Sequence, residues 1–238
     1  MERANKINTY NESPLHAAIK TYIAQPGDVF ETGVEGYIID ILRDELLIEV
    51  QTRQLGQLRT KLNKLLQNHR VLLIHPIALE LWIVRPPHPD KGEKGDIRRK
   101  SPKRGRPLDI FAEMVSLPTL IHNPNFSLRV LYTREEELRR WEGSRAWRRK
   151  GWAIDHRRLI DVVDSQTYTS AFDFAALLPA NLPAEFTTRD LADAVGCRIR
   201  LAQQAAYVLK KMGVLNQIGK KGRAHLYQVD KMYLKPEV

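Results

Sequence analysis

The chain has 238 residues, more than one typical domain, and sets 38 Lys and Arg against 28 Asp and Glu, a formal charge of +10 with a pI near 9.7. An excess of that size points to acidic polymers as partners. One cysteine, Cys197, excludes a disulfide framework and a Cys/His zinc cluster, and the 43% of hydrophobic residues never gather into a membrane-length run. The opening MERANKINTYNES has no apolar signal core, so the expectation is a soluble, cytoplasmic protein without membrane contact.

Ser13-Pro14 supplies an N-cap and a first helical position, and Leu15, Ile19 and Ile23 continue on one face, which predicts a helix. Tyr37 to Leu42 and Leu46 to Gln51 are aliphatic runs about Arg43-Asp44-Glu45 and predict a β-hairpin. If Asp44 and Glu45 form a two-residue loop, Arg43 pairs with Leu46 and Leu42 with Leu47, and Asp40 falls opposite Glu49 on one sheet face. Directly opposed carboxylates are destabilising, so the pair calls for a cation, and magnesium takes one or two carboxylates while keeping waters and accepting phosphate. The period of two puts Gln51 beside Glu49. The plain alternative is a half-exposed hairpin whose acids merely face water.

Leu55, Leu58, Leu62, Leu65 and Leu66 then mark an amphipathic helix with Arg53, Arg59, Lys61 and Lys64 on its polar side. Val71 to Ile74 and Leu79 to Val84 read as two strands, the first reached by a parallel crossover. Residues 86–107 carry prolines, glycines and a run of cations from Arg98 to Arg106, and predict a flexible basic arm. Asp109 to Leu120 reads as a helix and Leu128 to Tyr132 as a strand. Arg139, Arg140, Arg145, Arg148, Arg149 and Lys150 alternate with Trp141, Trp147 and Trp152, a composition that suits stacking on single-stranded or distorted DNA, although packed tryptophans with solvated neighbours are the simpler expectation.

After Leu182-Pro183 the pattern changes. Thr187 or Thr188 caps a short helix ended by Gly196, Ile199 to Met212 makes a longer one with Ala202, Ala205, Ala206 and Leu209 inward, and Ile218 to Tyr227 reads as two strands around Lys220-Lys221-Gly222-Arg223.

The order helix, two strands carrying Asp40, Glu49 and Gln51, helix, strand resembles the PD-(D/E)XK nuclease superfamily of restriction endonucleases and Holliday-junction resolvases over residues 10–85. Residues 184–230 resemble a winged helix-turn-helix domain, and Lys103-Arg104-Gly105-Arg106-Pro107 resembles the minor-groove core of an AT-hook. The resemblances imply an α/β fold, a restriction endonuclease-like mixed sheet flanked by helices, with a small C-terminal winged helix. The expected division is a nuclease-like domain over 1–140 with its basic arm at 86–107, a basic connecting region over 141–183, and a DNA-binding domain over 184–238.

The nuclease resemblance further implies that Asp40, Glu49 and the carbonyl of Val50 hold Mg2+ or Mn2+, that Gln51 stands where the family usually has lysine, and that Glu12 matches an acid of the first helix. His16, one turn on, is placed to face the same cleft but reads more simply as a packed surface residue, while Glu31 and Glu35 precede Asp40, Glu35 as a further acid near the cleft, with solvent exposure explaining both equally well. Arg198, Arg200, Gln203 and Gln204 would read bases, while Lys220, Lys221 and Arg223 of the wing, with Lys103, Arg104 and Arg106, would meet phosphate. The expected function is a metal-dependent endonuclease of prokaryotic kind acting on DNA, with RNA still open as a substrate and a homodimer as one assembly. Gln51 favours the rival, a non-catalytic DNA-binding regulator on an inactive nuclease scaffold.

Overall fold

The computed structural model describes residues 12–234; residues 1–11, most of the stretch read above for a leader, and 235–238 lie outside the described residues. The fold is mixed α/β, with a large mixed sheet flanked by helices and a second, small sheet.

Helix α1 (Pro14–Ile23) begins as its sequence predicts: Ser13 Oγ accepts from the His16 amide at 3.3 Å, and Pro14 sits where a missing N–H is harmless. Strands β1 (Val29–Val34), β2 (Tyr37–Arg43) and β3 (Leu46–Val50) form an antiparallel meander, and α1 packs on β3 with Leu15 and Ile19 buried. The register Arg43↔Leu46, Leu42↔Leu47, Ile41↔Ile48 is the expected one, with Asp44 turning the loop at φ 51. Aspartate tolerates that left-handed conformation better than most residues.

A 3-10 turn (Leu55–Leu58) leads into α2 (Arg59–Leu65), which buries Leu62 and Leu65. The two strands expected next are a single one, β4 (Arg70–Arg85), running straight through Pro76. Proline removes one ladder donor there, but its fixed φ remains compatible with extended backbone.

The basic arm is not a free segment. β5 (Ile97–Lys100) pairs antiparallel with β4, and the Gly105 amide donates to the Ala78 carbonyl at 2.8 Å. A Cβ on Gly105 would stand 2.5 Å from that oxygen, so the close approach requires glycine. Lys103, Arg104 and Arg106 stay exposed on this docked stretch.

The expected helix of 109–120 is shorter, α3 (Ile110–Met114) after a 3-10 turn, and Pro118 bars its extension. The strand expected at 128–132 is β6 (Phe126–Trp141), and the supposed connecting region holds another long strand, β7 (Trp152–Tyr168), followed by α4 (Ala171–Ala175). The charged half of β6 is buried because cations meet it. Glu136 pairs with Arg98 at 2.7 Å and with Arg158, and Glu137 accepts from Arg139 at 2.6 Å.

The last elements are β8 (Glu185–Thr187), α5 (Thr188–Val195), α6 (Ile199–Lys211), β9 (Leu215–Lys221) and β10 (Ala224–Val229). The small sheet has the order β8-β10-β9, and the large one β1-β2-β3-β4-β6-β7 with β5 against β4. Thr187 and Asp190 form the capping box that opens α5, and Gly196 at φ 64 closes it. Two compact units follow among the described residues: the first takes 12–52, 76–106 and 131–165, and the second 53–75, 107–130 and 166–234.

Candidate functional site

In the first unit, Glu12, just before the cap of α1, and His16 and Lys20 on the helix bring three side chains at a spacing of four to Asp40 in the middle of β2. His16 Nδ1 lies 2.5 Å from Glu12 Oε1, and its Nε2 lies 3.2 Å from Asp40 Oδ2. Lys20 Nζ is 3.2 Å from Glu12 Oε1 and 3.9 Å from Asp40 Oδ1, and it pairs with Glu31 of β1. Asp40 Oδ2 also accepts from the Val50 amide at 2.8 Å, which ties it to the neighbouring strand. Three carboxylates thus face two cations at most, so the cluster keeps negative charge.

The pKa values follow from that arrangement. Burial alone would raise the Asp40 carboxyl, but the hydrogen bond and charge of His16, the Val50 amide and the Lys20 charge hold it below its ordinary value. Burial likewise opposes the charged forms of His16 and Lys20, and is overcome by Asp40 and Glu12 for the first and by Glu31, Glu12 and Asp40 for the second, so both are raised.

Glu49 follows Ile48 on β3 as Asp40 precedes Ile41 on β2, Ile41↔Ile48 being the last pair of the hairpin register, and Glu49 is 3% exposed. Gln51 follows the end of the strand, half-buried. Among the described residues no three His, Cys, Asp or Glu side chains converge as an ion cage. Two carboxylates with water and phosphate completing the shell are what Mg2+ takes, so the donor chemistry of Asp40 and Glu49 with the Val50 carbonyl fits that ion.

Lys20 was the residue missed by sequence reasoning, because a lone lysine on an amphipathic helix reads as solvated. The spacing of four that links Glu12, His16 and Lys20 was the available signal.

In the second unit, Arg200, Gln203, Tyr207 and Lys210 form an exposed stripe on α6 at helical spacing, with Ala202, Ala205, Ala206 and Leu209 buried behind it. Gln203, Tyr207, Lys210, Arg223 and His225 line a cavity of ≈ 520 Å³. Gln204 is half-buried, whereas Arg198, Lys220, Lys221 and Arg223 are exposed, the last three about Gly222 at φ 63. Tyr207, Lys210 and Lys211 extend the predicted set along the same face.

Residues 13–169 match the family described as a domain of unknown function, DUF8091. An uncharacterized protein of Treponema pallidum (strain Nichols) is 33% identical over 226 residues, covering 93% of this chain and 87% of that protein. The chain belongs to the DUF8091 family. The DUF8091 match takes in α1, both acid-bearing strands and β7, and the Treponema relative is similar over most of the whole chain, including residues beyond that match. No solved structure matches. No helix among the described residues is long and apolar enough to cross a membrane.

Proposed function

We propose that this DUF8091 protein is a metal-dependent DNA endonuclease of PD-(D/E)XK type whose C-terminal unit is a winged helix that binds the duplex. The observation that carries the reading is the β2–β3 hairpin, whose register runs to Ile41↔Ile48 with Asp40 and Glu49 next in each strand, together with the contacts of Asp40 to Lys20 and the Val50 amide. Two acids on adjacent strands with an ammonium beside them are the elements of phosphodiester hydrolysis. Asp40, Glu49 and the Val50 carbonyl would hold Mg2+ or Mn2+, which supplies charge neutralisation at phosphate and a lowered pKa for bound water.

Lys20 answers the departure at Gln51. A neutral amide orients water without stabilising charge, and the Lys20 ammonium brings a positive charge to Asp40 from another element. The stripe of α6 would enter the major groove, with Arg200 and Gln203 at base edges and Lys220, Lys221 and Arg223 of the wing on phosphates.

Purified protein is expected to nick supercoiled plasmid only with Mg2+ or Mn2+. Asp40→Ala and Glu49→Ala should each lower the rate about a hundredfold or more while leaving DNA affinity within about twofold, because several kcal/mol of transition-state stabilisation leaves with the metal. Shifted but uncut DNA for the wild type would replace this reading with the regulator, which Gln51 favours.

A further inference from the structure

Between β4, β5 and β7 of the first unit lies a cavity of ≈ 540 Å³ in which seven of ten lining residues are Lys or Arg and none is acidic. Seven cations around one hollow call for anions. Two have them: Arg85 holds Glu93 with a fork at 2.6 and 2.9 Å, pulling that carboxyl down to about 2, and Arg139 holds Glu137. Lys91, Arg99, Arg148, Arg149 and Lys150 form no ion pair among the described residues.

Arg99 shows that the arrangement is selective. Its neighbours on β5, Arg98 and Lys100, point to the other face, lie over the Trp82 ring at 4.8 and 5.0 Å and pair with Glu136 and Glu80. Arg99 alone turns into the cavity.

The floor is aromatic and rigid. Trp152 is buried, meets Trp141 edge-on at 5.2 Å, and carries the Arg85 guanidinium 4.7 Å above its ring. Gly151 at φ +88 lets the chain cross Trp141; a Cβ there would stand 2.4 Å from the ring. The expectation that the tryptophans pack thus holds for Trp141 and Trp152. Trp147 is different, 72% exposed beside Arg148, whose guanidinium lies 5.2 Å over its ring.

We propose that this cavity binds the terminal phosphate of a single nucleic-acid strand, with Trp147 as the stacking surface for the end base. A phosphate monoester carries close to two charges at neutral pH against one for a backbone diester, and a concave cation cluster matches an end rather than a strand passing across it. An exposed aromatic beside arginines accepts any base. The proposal stands apart from the nuclease reading, since its residues touch neither Asp40 nor Glu49.

The test is fluorescence anisotropy of the full chain, in EDTA so that no cleavage intervenes, with one labelled oligonucleotide carrying a 5′-phosphate, a 3′-phosphate or only hydroxyl ends. One phosphorylated end should bind about tenfold tighter or more than the hydroxyl form, the range of a charge-assisted hydrogen bond. That preference should vanish in Arg99→Ala and Arg149→Ala, whose melting temperatures should match the wild type, and persist in Arg200→Ala on α6. Equal affinity of phosphorylated and hydroxyl ends in the wild type overturns the proposal, as does a preference that survives both cavity variants. Displacement of the strand by equimolar deoxynucleoside monophosphate would assign the cavity to a free nucleotide and overturn the strand-end assignment.

Discussion

Around Asp40 the first unit gathers acids and supplies its own cations, whereas around Trp152 it gathers cations and leaves most of them without acids. Both arrangements collect like charge. In the first, His16 and Lys20 stand between the carboxylates, so the cluster helps fasten α1 to the meander. In the second, aromatic packing with Arg85 and Arg139 holds the scaffold, and Arg99, Arg148 and Arg149 form no ion pair among the described residues that would fasten it. Charge that is neutralised within the chain serves the fold first; charge left over is available to a ligand.

The largest expected difference comes from Lys20→Met. The side chain is 9% exposed and touches three carboxylates, so its loss leaves them facing one another and should cost about 3 kcal/mol, read by urea unfolding at neutral pH. Millimolar Mg2+ should restore part of that stability in the variant more than in the wild type, because a dication can take over the neutralisation. A variant as stable as the wild type, or one indifferent to Mg2+, would break the contrast between the two regions.

Next in size is Gly151→Ala at the cavity floor. A left-handed φ of +88 and a ring 2.4 Å from the new Cβ together should cost about 2 kcal/mol, measured by thermal unfolding. Near-UV circular dichroism should change with it, since Trp141 and Trp152 must move apart.

The same contrast explains which parts of the fold were legible. The hairpin of β2 and β3 is legible through Ile39, Ile41, Leu47 and Ile48, all buried, and the turn residues Asp44-Glu45 imply its register, whereas β1 carries no comparable signal. The second half of β6 did not, because Glu135, Glu136 and Glu137 are buried against arginines from β5, β7 and β6 itself, and a strand covered by ion pairs has no apolar period to detect. Gly105 was read for a minor-groove motif, while its reason is the Ala78 carbonyl. The placement of Asp40 and Glu49 on adjacent strands is legible because a hairpin is local; Lys20 belongs to a contact that only the packing of α1 creates. The capping box at Thr187 was local again and stands where the sequence put it, while on α6 Arg200 and Gln203 are exposed, Gln204 is half-buried, and Tyr207 and Lys210 complete the stripe.

The smallest effect is the most specific to the acid cluster. His16 has its pKa raised from 6.5 by Asp40 and Glu12 against burial, so its charged form favours the folded state. The sign follows: the contribution is full below pH 6.5 and disappears as pH rises through the higher folded value, while Asp40, lowered from 3.8, keeps its own part until pH falls through its folded value. His16→Gln should therefore lose about 1 kcal/mol or less at pH 5.5 and almost nothing at pH 9, measured as the difference in Tm from the wild type. The opposite trend would mean that the imidazole is held neutral between the two acids, as a hydrogen-bonding bridge with no net charge, and that Lys20 alone neutralises the cluster.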